Sequence, residues 1–300
     1  MISIIGSGLV GSSLAFLCAS NSLDDIVLLN RTKSKAMGEA LDISNAIPEK
    51  SDYTISGTDD YSEISDARII VITASTGVYL KSRHEIIDAQ VKMIKEIGEK
   101  IKTYCKSPTV LIISNPVDVL TYFFQKETDF PRDKIIGIAS SLDSKRFRYL
   151  ISKALGVKNS QISGALVLGE HGDSMVPIFS KTKIDGKNIL EIIDTKQKEK
   201  ITKETKHYWK SLRNLKNRSQ FGIAKNVFDV IESIINNRVI SIPASVLLYG
   251  EYNEKNVCMG IPLKISSKGM VEIQSMKLNK LEQELLKKSA QTIRKNIKSV

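Results

Sequence analysis

The 300-residue chain holds three histidines, His84, His171 and His207, and imidazole is the side chain that trades protons near neutral pH without help from its surroundings. His171 is set apart by its neighbours. It stands in Leu168-Gly169-Glu170-His171-Gly172-Asp173-Ser174-Met175-Val176-Pro177, just past an apolar run, where glycines leave room for a side chain to project into a cleft. His84 falls in a polar stretch and His207 among lysines, so both read as bystanders. Cys18, Cys105 and Cys258 are odd in number and far apart, which gives neither a disulfide framework nor a metal-ligand spacing.

A second chemical feature lies near the N-terminus. Gly6-Ser7-Gly8-Leu9-Val10-Gly11 follows an apolar run at 2–5 and opens an apolar helical stretch containing Leu14, Ala15, Leu17 and Cys18. Glycines at this spacing make a tight turn, let backbone approach a pyrophosphate and present a helix N-terminus to it. Gly6, Gly8, Leu9, Val10 and Gly11 are therefore candidate dinucleotide contacts. In NAD-binding proteins the second strand ends in an acid that bonds the adenosine ribose. Here it ends in Asn30-Arg31-Thr32-Lys33, where a 2′-phosphate would meet an amide and two cations. Asn30 and Arg31 thus point to acceptance of NADP. The plainer alternative is that Arg31 and Lys33 face water while Asn30 serves NAD.

These groups need a scaffold, and the first half of the chain alternates short apolar runs with helical stretches, the signature of βαβ units and a parallel sheet. The runs lie at 2–5, 26–29, 69–73, 110–114 and 135–138, with helices expected at about 9–20, 33–46, 86–105 and 118–127. Runs such as Ile69-Ile70-Val71-Ile72 are apolar on both alternating faces, as strands covered above and below must be. After about residue 140 the pattern becomes mixed. Helices are expected at 141–155, 196–212, 219–236 and 279–297, with strands near 162–168, 176–184 and 239–274. The fold expected is α/β: a doubly wound parallel sheet over 1–140 and an α+β catalytic domain over 141–300.

The formal charge of +11 is unevenly spread. Residues 196–218 carry nine Lys/Arg against two Glu, and residues 277–298 carry seven against two. Both stretches have helical apolar spacing, so solvated helix faces explain them, and no nucleic-acid module signature lies beside them. A nucleic-acid-binding or cofactor-sensing protein that uses these basic helices is the remote alternative from another class. With no basic lead-in and no long apolar stretch, neither a signal peptide nor a membrane span is expected, and the chain is placed in the cytoplasm.

Several motifs, in order along the chain, resemble the lactate/malate dehydrogenase family. They are the glycine fingerprint at 6–11, Gly38-Glu39-Ala40-Leu41-Asp42, Asn115-Pro116-Val117-Asp118, Leu142-Asp143-Ser144-Lys145-Arg146 and Gly169-Glu170-His171-Gly172-Asp173-Ser174. The resemblance implies an N-terminal domain of Rossmann type and a homodimer or homotetramer, acting on a small 2-hydroxy or 2-oxo acid. It implies that Arg146 grips the substrate carboxylate, that Asp143 accepts from His171, and that His171 exchanges the proton. By the same resemblance Asn115 bonds substrate or cofactor, Ser219 lines the pocket, and Arg83 closes over the carbonyl oxygen on a loop. No metal is implied.

The loop that selects the substrate departs from the family. Ala74-Ser75-Thr76-Gly77-Val78-Tyr79-Leu80-Lys81-Ser82-Arg83 is one residue short of the malate-active pattern, and the position of its first Arg falls on Gly77. Neither that Arg nor the Gln common in lactate-active relatives is present. A second carboxylate would still need a cation, since burying it unpaired is costly. Lys81 is the nearest, and Tyr79 offers a hydroxyl. The form of the motif at 142–146 and the overall likeness to archaeal-type malate dehydrogenases favour malate and oxaloacetate over lactate and pyruvate.

The segment from Phe221 through Ile235 is apolar over a wide face, which implies deep burial within one subunit or against another.

Overall fold

The computed structural model describes residues 1–76, 83–216 and 218–300, with the side chains of residues 83–85 also outside the description. Its first half repeats one unit. The chain runs β1 (Ile2–Ile5), α1 (Leu9–Ser20), β2 (Ile26–Leu29), α2 (Lys33–Ser44), β3 (Ile55–Thr58), β4 (Ile69–Ile72), α3 (Arg83–Tyr104), β5 (Thr109–Ile112), α4 (Val117–Thr128) and β6 (Ile135–Gly137). These six strands are parallel in the order β6-β5-β4-β1-β2-β3. That is the doubly wound arrangement in which ligands bind beyond the carboxyl ends of the strands, where the order reverses between β1 and β4.

The apolar runs form strands because both of their faces are covered. Ile69 to Ile72 are all fully buried, and so are Ile2, Ile4, Val110, Leu111 and Ile112. Helices α3 and α4 supply Ile94, Ile101, Leu120 and Phe124, and α1 supplies Leu14, Ala15 and Cys18. Each fully buried Ile or Leu contributes about 1.5–3 kcal/mol over its exposed state. Strand β3 is not among the expected runs, because Ile55-Ser56-Gly57-Thr58 has one large apolar residue in four and lies at the sheet edge.

The second half begins with α5 (Ser140–Leu155) and the short strands β7 (Ile162–Ser163), β8 (Val167–Leu168), β9 (Val176–Pro177), β10 (Lys183–Ile184) and β11 (Lys187–Asn188). Then come α6 (Thr195–Lys216), α7 (Phe221–Ile235), β12 (Ile240–Tyr249), β13 (Lys255–Ser266), β14 (Gly269–Ile273) and α8 (Lys280–Lys298). A second core gathers Phe147, Ile151, Val167, Phe179 and Ile201 between α5, α6 and the short strands.

Strands β12 to β14 are antiparallel and join the parallel sheet through Ser245 and Gly137, so that one nine-stranded sheet runs across the boundary near residue 140. The apolar face of α7 lies inside the subunit: Ala224, Val227, Val230 and Ile231 are fully buried and the helix packs on α1, while Phe221 remains exposed. Helix α7 starts at Phe221 rather than 219, which leaves Ser219 in the preceding connection.

Candidate active site

The turns that follow β1, β2 and β4 open into one cleft of about 670 Å³. Gly6, Gly8, Leu9 and Val10 line it after β1, Asn30 and Arg31 after β2, and Thr73, Ala74 and Ser75 after β4. A Cβ on Gly11 would fall 2.0 Å from the Gly6 carbonyl oxygen, so only glycine lets α1 start this close to the turn. Gly8 caps α1 without a side-chain hydrogen bond, and the first turn contains no acid. Its N–H groups and the helix dipole thus favour an anion. Tyr61, Met93 and Ile97 give the cleft apolar walls. This combination can accommodate a dinucleotide: the N-terminus of α1 suits a pyrophosphate, and the apolar walls suit a flat base.

At the β2 end, the Asn30 side chain is committed to the loop. Its Nδ2 donates to Ser7 Oγ at 2.8 Å and its Oδ1 accepts from the Thr32 N–H at 3.1 Å. Arg31 and Lys35 line the cleft together with Asp59. Lys33, which the sequence grouped with Arg31, instead pairs with Asp59 at 3.8 Å.

The second cluster of polar side chains centres on His171. Its Nδ1 lies 2.6 Å from Asp143 Oδ2, and Asp143 Oδ1 accepts from Arg146 Nη1 at 3.1 Å. Arg146 Nη2 donates to Ser219 Oγ at 3.3 Å, and the guanidinium lies over the Tyr208 ring, 5.2 Å from its centre. Helix α5 sets the pair Asp143 and Arg146 on one face because they are three residues apart. Asp143 is 1% exposed, whereas Arg146 and His171 retain 10% and 19%. The carboxylate is thus buried behind two groups that still reach solvent. Nε2 of His171 has no hydrogen-bond partner among the described residues, which leaves it for a ligand.

The loop that carries His171 is held along its length. Gly169 exchanges both backbone hydrogen bonds with Gly260 of β13, at 2.8 and 2.9 Å. Its φ of +87° belongs to glycine, and a Cβ there would lie 2.4 Å from Ser289 Oγ of α8. Ser289 Oγ accepts from the Glu170 N–H at 2.7 Å, and Asp118 Oδ2 accepts from the His171 N–H at 2.7 Å. Glu170 Oε2 in turn accepts from the Ser174 hydroxyl.

Burial works against a charge on His171, but the Asp143 carboxylate more than offsets it by charge and hydrogen bond. Arg146 opposes and Asp118 assists, and the net effect raises the imidazole above its ordinary pKa. The arrangement favours the protonated form of an imidazole that has one nitrogen bound to a buried acid and the other available, beside a cation that can grip an anion.

Two family models match the chain. The lactate/malate dehydrogenase NAD binding domain matches residues 1–137, and the lactate/malate dehydrogenase alpha/beta C-terminal domain matches residues 140–300. The chain belongs to the lactate/malate dehydrogenase family. Among family members of similar sequence, the malate dehydrogenase of Staphylococcus saprophyticus is 33% identical, over 97% of this chain and 95% of its own. The structure of the malate dehydrogenase from Aeropyrum pernix superposes with a TM-score of 0.94 at 32% identity, covering 100% of this chain and 98% of that one. The lactate dehydrogenase of Cryptosporidium parvum, solved with lactic acid and nicotinamide adenine dinucleotide, also gives a TM-score of 0.94, at 31% identity over 99% and 96% of the two chains.

Of the residues singled out from sequence, His171, Asp143, Arg146 and Ser219 form one connected group. Gly6, Gly8, Leu9, Val10, Asn30 and Arg31 line the cleft, and Gly11 backs it. Asn115 follows β5 and is exposed, its Oδ1 facing the Val117 N–H at 3.4 Å. Lys81 and Tyr79 lie outside the described residues. Arg83 is the first residue of α3, and its side chain is outside the description too. His84, expected in a loop, falls within the same helix. Sequence reasoning missed Asp118 and Tyr208, and also Arg218, which lines the cleft next to Ser219. The motif at 115–118 held the signal for the first and the neighbouring Ser219 held one for Arg218, whereas nothing local marked Tyr208.

Proposed function

We propose that the chain is a nicotinamide-dependent dehydrogenase of small 2-hydroxy acids, with (S)-malate and oxaloacetate as its substrate pair. The observation that carries the reading is the connected series His171, Asp143 and Arg146, which joins a proton donor, its buried acid and a carboxylate-binding cation. The malate dehydrogenases among its relatives favour malate. Lactate and pyruvate are the second reading, supported by the neighbour solved with lactic acid.

When bound, the nicotinamide supplies the hydride in reduction and accepts it in oxidation. Arg146 holds the carboxylate of the 2-oxo acid through charge-assisted hydrogen bonds and is itself steadied by Ser219 and Asp143. His171 donates the Nε2 proton to the carbonyl oxygen as that oxygen gains charge, and Asp143 stabilises the imidazolium until then. In oxidation the neutral imidazole takes the hydroxyl proton back. Asn115 offers its amide to substrate or cofactor. On the family resemblance Arg83 stabilises the charge growing on the carbonyl oxygen. Lys81 is the cation expected at the second carboxylate of a malate-sized substrate, with the Tyr79 hydroxyl beside it, and Arg218, which lines the cleft next to Ser219, is a further candidate.

The cofactor reading favours NADP acceptance, because Arg31 and Lys35 line the cleft beside Asn30 where an anion-repelling acid would otherwise end β2. One set of assays tests substrate and cofactor together. Oxaloacetate is expected to exceed pyruvate in kcat/KM, and NADPH to match or exceed NADH. Asn30→Asp should lower kcat/KM for NADPH about tenfold or more, since it sets a carboxylate near the 2′-phosphate. A wild type that strongly prefers NADH would refute the phosphate argument, and one that prefers pyruvate would refute the malate reading.

Among the described residues no helix is long and apolar enough to cross a membrane. The likeness to dehydrogenases of small acids favours a small molecule over nucleic acid as the partner, and the cytoplasm is the location expected for the enzyme. We also read it as a homo-oligomer, since Phe16 on α1 and Met37 and Leu41 on α2 are at least half exposed or nearly so, at 49%, 52% and 72%. Light scattering that returns the mass of a single chain would rule that out.

A further inference from the structure

Asp118 is a carboxylate in a place where carboxylates are costly. It lies in the first turn of α4, is 3% exposed, and is separated by 53 residues from the backbone it serves. Oδ2 accepts from the His171 N–H at 2.7 Å, while Oδ1 has no hydrogen-bond partner among the described residues. Ser245 of β12 is adjacent, its hydroxyl outside hydrogen-bond geometry but near enough to Asp118 to favour the charged carboxylate. The helix N-terminus offsets part of the burial cost of the acid. An apolar side chain of the same shape would avoid that cost but would leave the His171 N–H unpaired.

The peptide that Asp118 holds belongs to the residue whose imidazole must be aimed. Asp143 fixes the ring through Nδ1, but a ring hydrogen bond alone leaves the backbone of a glycine-flanked loop free to shift. Gly169 and Gly172 lie on either side of His171; Gly260 and Ser289 hold the chain at Gly169 and Glu170, and Asp118 holds the N–H of His171 itself. We propose that Asp118 is a positioning residue for the proton transfer, fixing the main chain of His171, and with it the aim of the imidazole, independently of Asp143. The proposal rests on the reading of His171 as the proton donor.

The charged and titratable groups around this acid are known. The loop presents His171 and Glu170, β13 presents Cys258, and Asp143 and Arg146 reach the far side of His171 from α5. Burial pushes the Asp118 carboxyl up to about 7, against the lowering effect of the His171 N–H. The free Oδ1 can carry the proton while Oδ2 goes on accepting, so the anchor holds in both states. An asparagine reproduces this arrangement, with its carbonyl at the His171 N–H and its amide in the place of the protonated oxygen.

The test compares Asp118→Leu, which keeps the shape and removes the acceptor, with Asp118→Asn, which keeps both. Asp118→Leu is expected to lower kcat for oxaloacetate reduction by about 30- to 100-fold, the scale of a sub-ångström to one-ångström misplacement. Its KM for oxaloacetate should change less than about threefold, because Arg146 is untouched, and cofactor binding followed by nucleotide fluorescence should persist. Asp118→Asn should recover kcat to within about threefold of the wild type. Asp118→Ala replaces the Leu variant if the latter does not fold, judged by circular dichroism. A folded Leu or Ala variant with wild-type kcat overturns the proposal, and so does an Asn variant as slow as the Leu one. A wild-type chain inactive on every 2-oxo acid would instead sink the dehydrogenase reading beneath it.

Discussion

A His171→Asn enzyme is expected to reduce oxaloacetate about 10³-fold more slowly than the wild type, the usual worth of a positioned general acid. It should still bind cofactor, because the cleft at the β1 turn lies on a different element. Asp143→Asn should cost a similar factor, since an amide no longer stabilises the imidazolium and can orient the wrong tautomer. The pH dependence follows from the sign of the shift. The pKa of His171 is raised, so its imidazolium persists to higher pH than in an ordinary histidine. Reduction needs that form, and its kcat/KM should hold through the usual histidine range and fall only above it. Oxidation needs the neutral ring and should rise over the same interval. Steady-state assays from pH 5 to 10 on both directions read this, and a His171→Asn enzyme of full activity would end the assignment.

Replacing Arg146 by Ala should lower kcat/KM for any 2-oxo acid about 10²- to 10³-fold, the cost of removing one partner of a desolvated charge pair. The loss should appear in KM as well as kcat, unlike that of the histidine variant. Part of it arises inside the protein. Arg146 opposes the charge on His171, so without it Asp143 and Asp118 act on the imidazole unopposed by that cation and the pKa of His171 should rise further. The alkaline limb of reduction should therefore move to higher pH. Added guanidinium ion is expected to restore part of the rate, and an Arg146→Ala enzyme with unaltered KM would place the substrate carboxylate elsewhere.

The parts of this molecule that could be read from sequence are those in which chemistry and periodicity coincide. Strands β1, β2, β4 and β5 are apolar on both faces because both faces are covered, and such runs are visible without coordinates. The glycines at 6, 8 and 11 announce a turn and a close approach. His171 could be chosen because it stands among glycines after an apolar run, with only two competitors. What stayed hidden depends on distance along the chain. Nothing near Asp118 reports that its oxygen will meet the peptide of residue 171, and nothing near Gly260 reports that it will hold Gly169. The burial of α7 was legible, but its destination was not: the partner is α1 of the same subunit. Lys33 read as part of a phosphate site because neighbours in sequence were taken together, and a helix start instead turns it toward Asp59.

The sheet that passes from one half of the chain into the other has a consequence for how the halves can be used. Strand β6 is flanked by β5 on one side and on the other by β12, which arrives more than a hundred residues later. Cut near residue 140, the nucleotide-binding half would expose the backbone donors and acceptors of β6 along an open edge, an invitation to pair with whatever strand comes by. Expressed by itself, that half is expected to self-associate, because the strand that covers its edge, reached through Ser245 and Gly137, belongs to the half that carries His171.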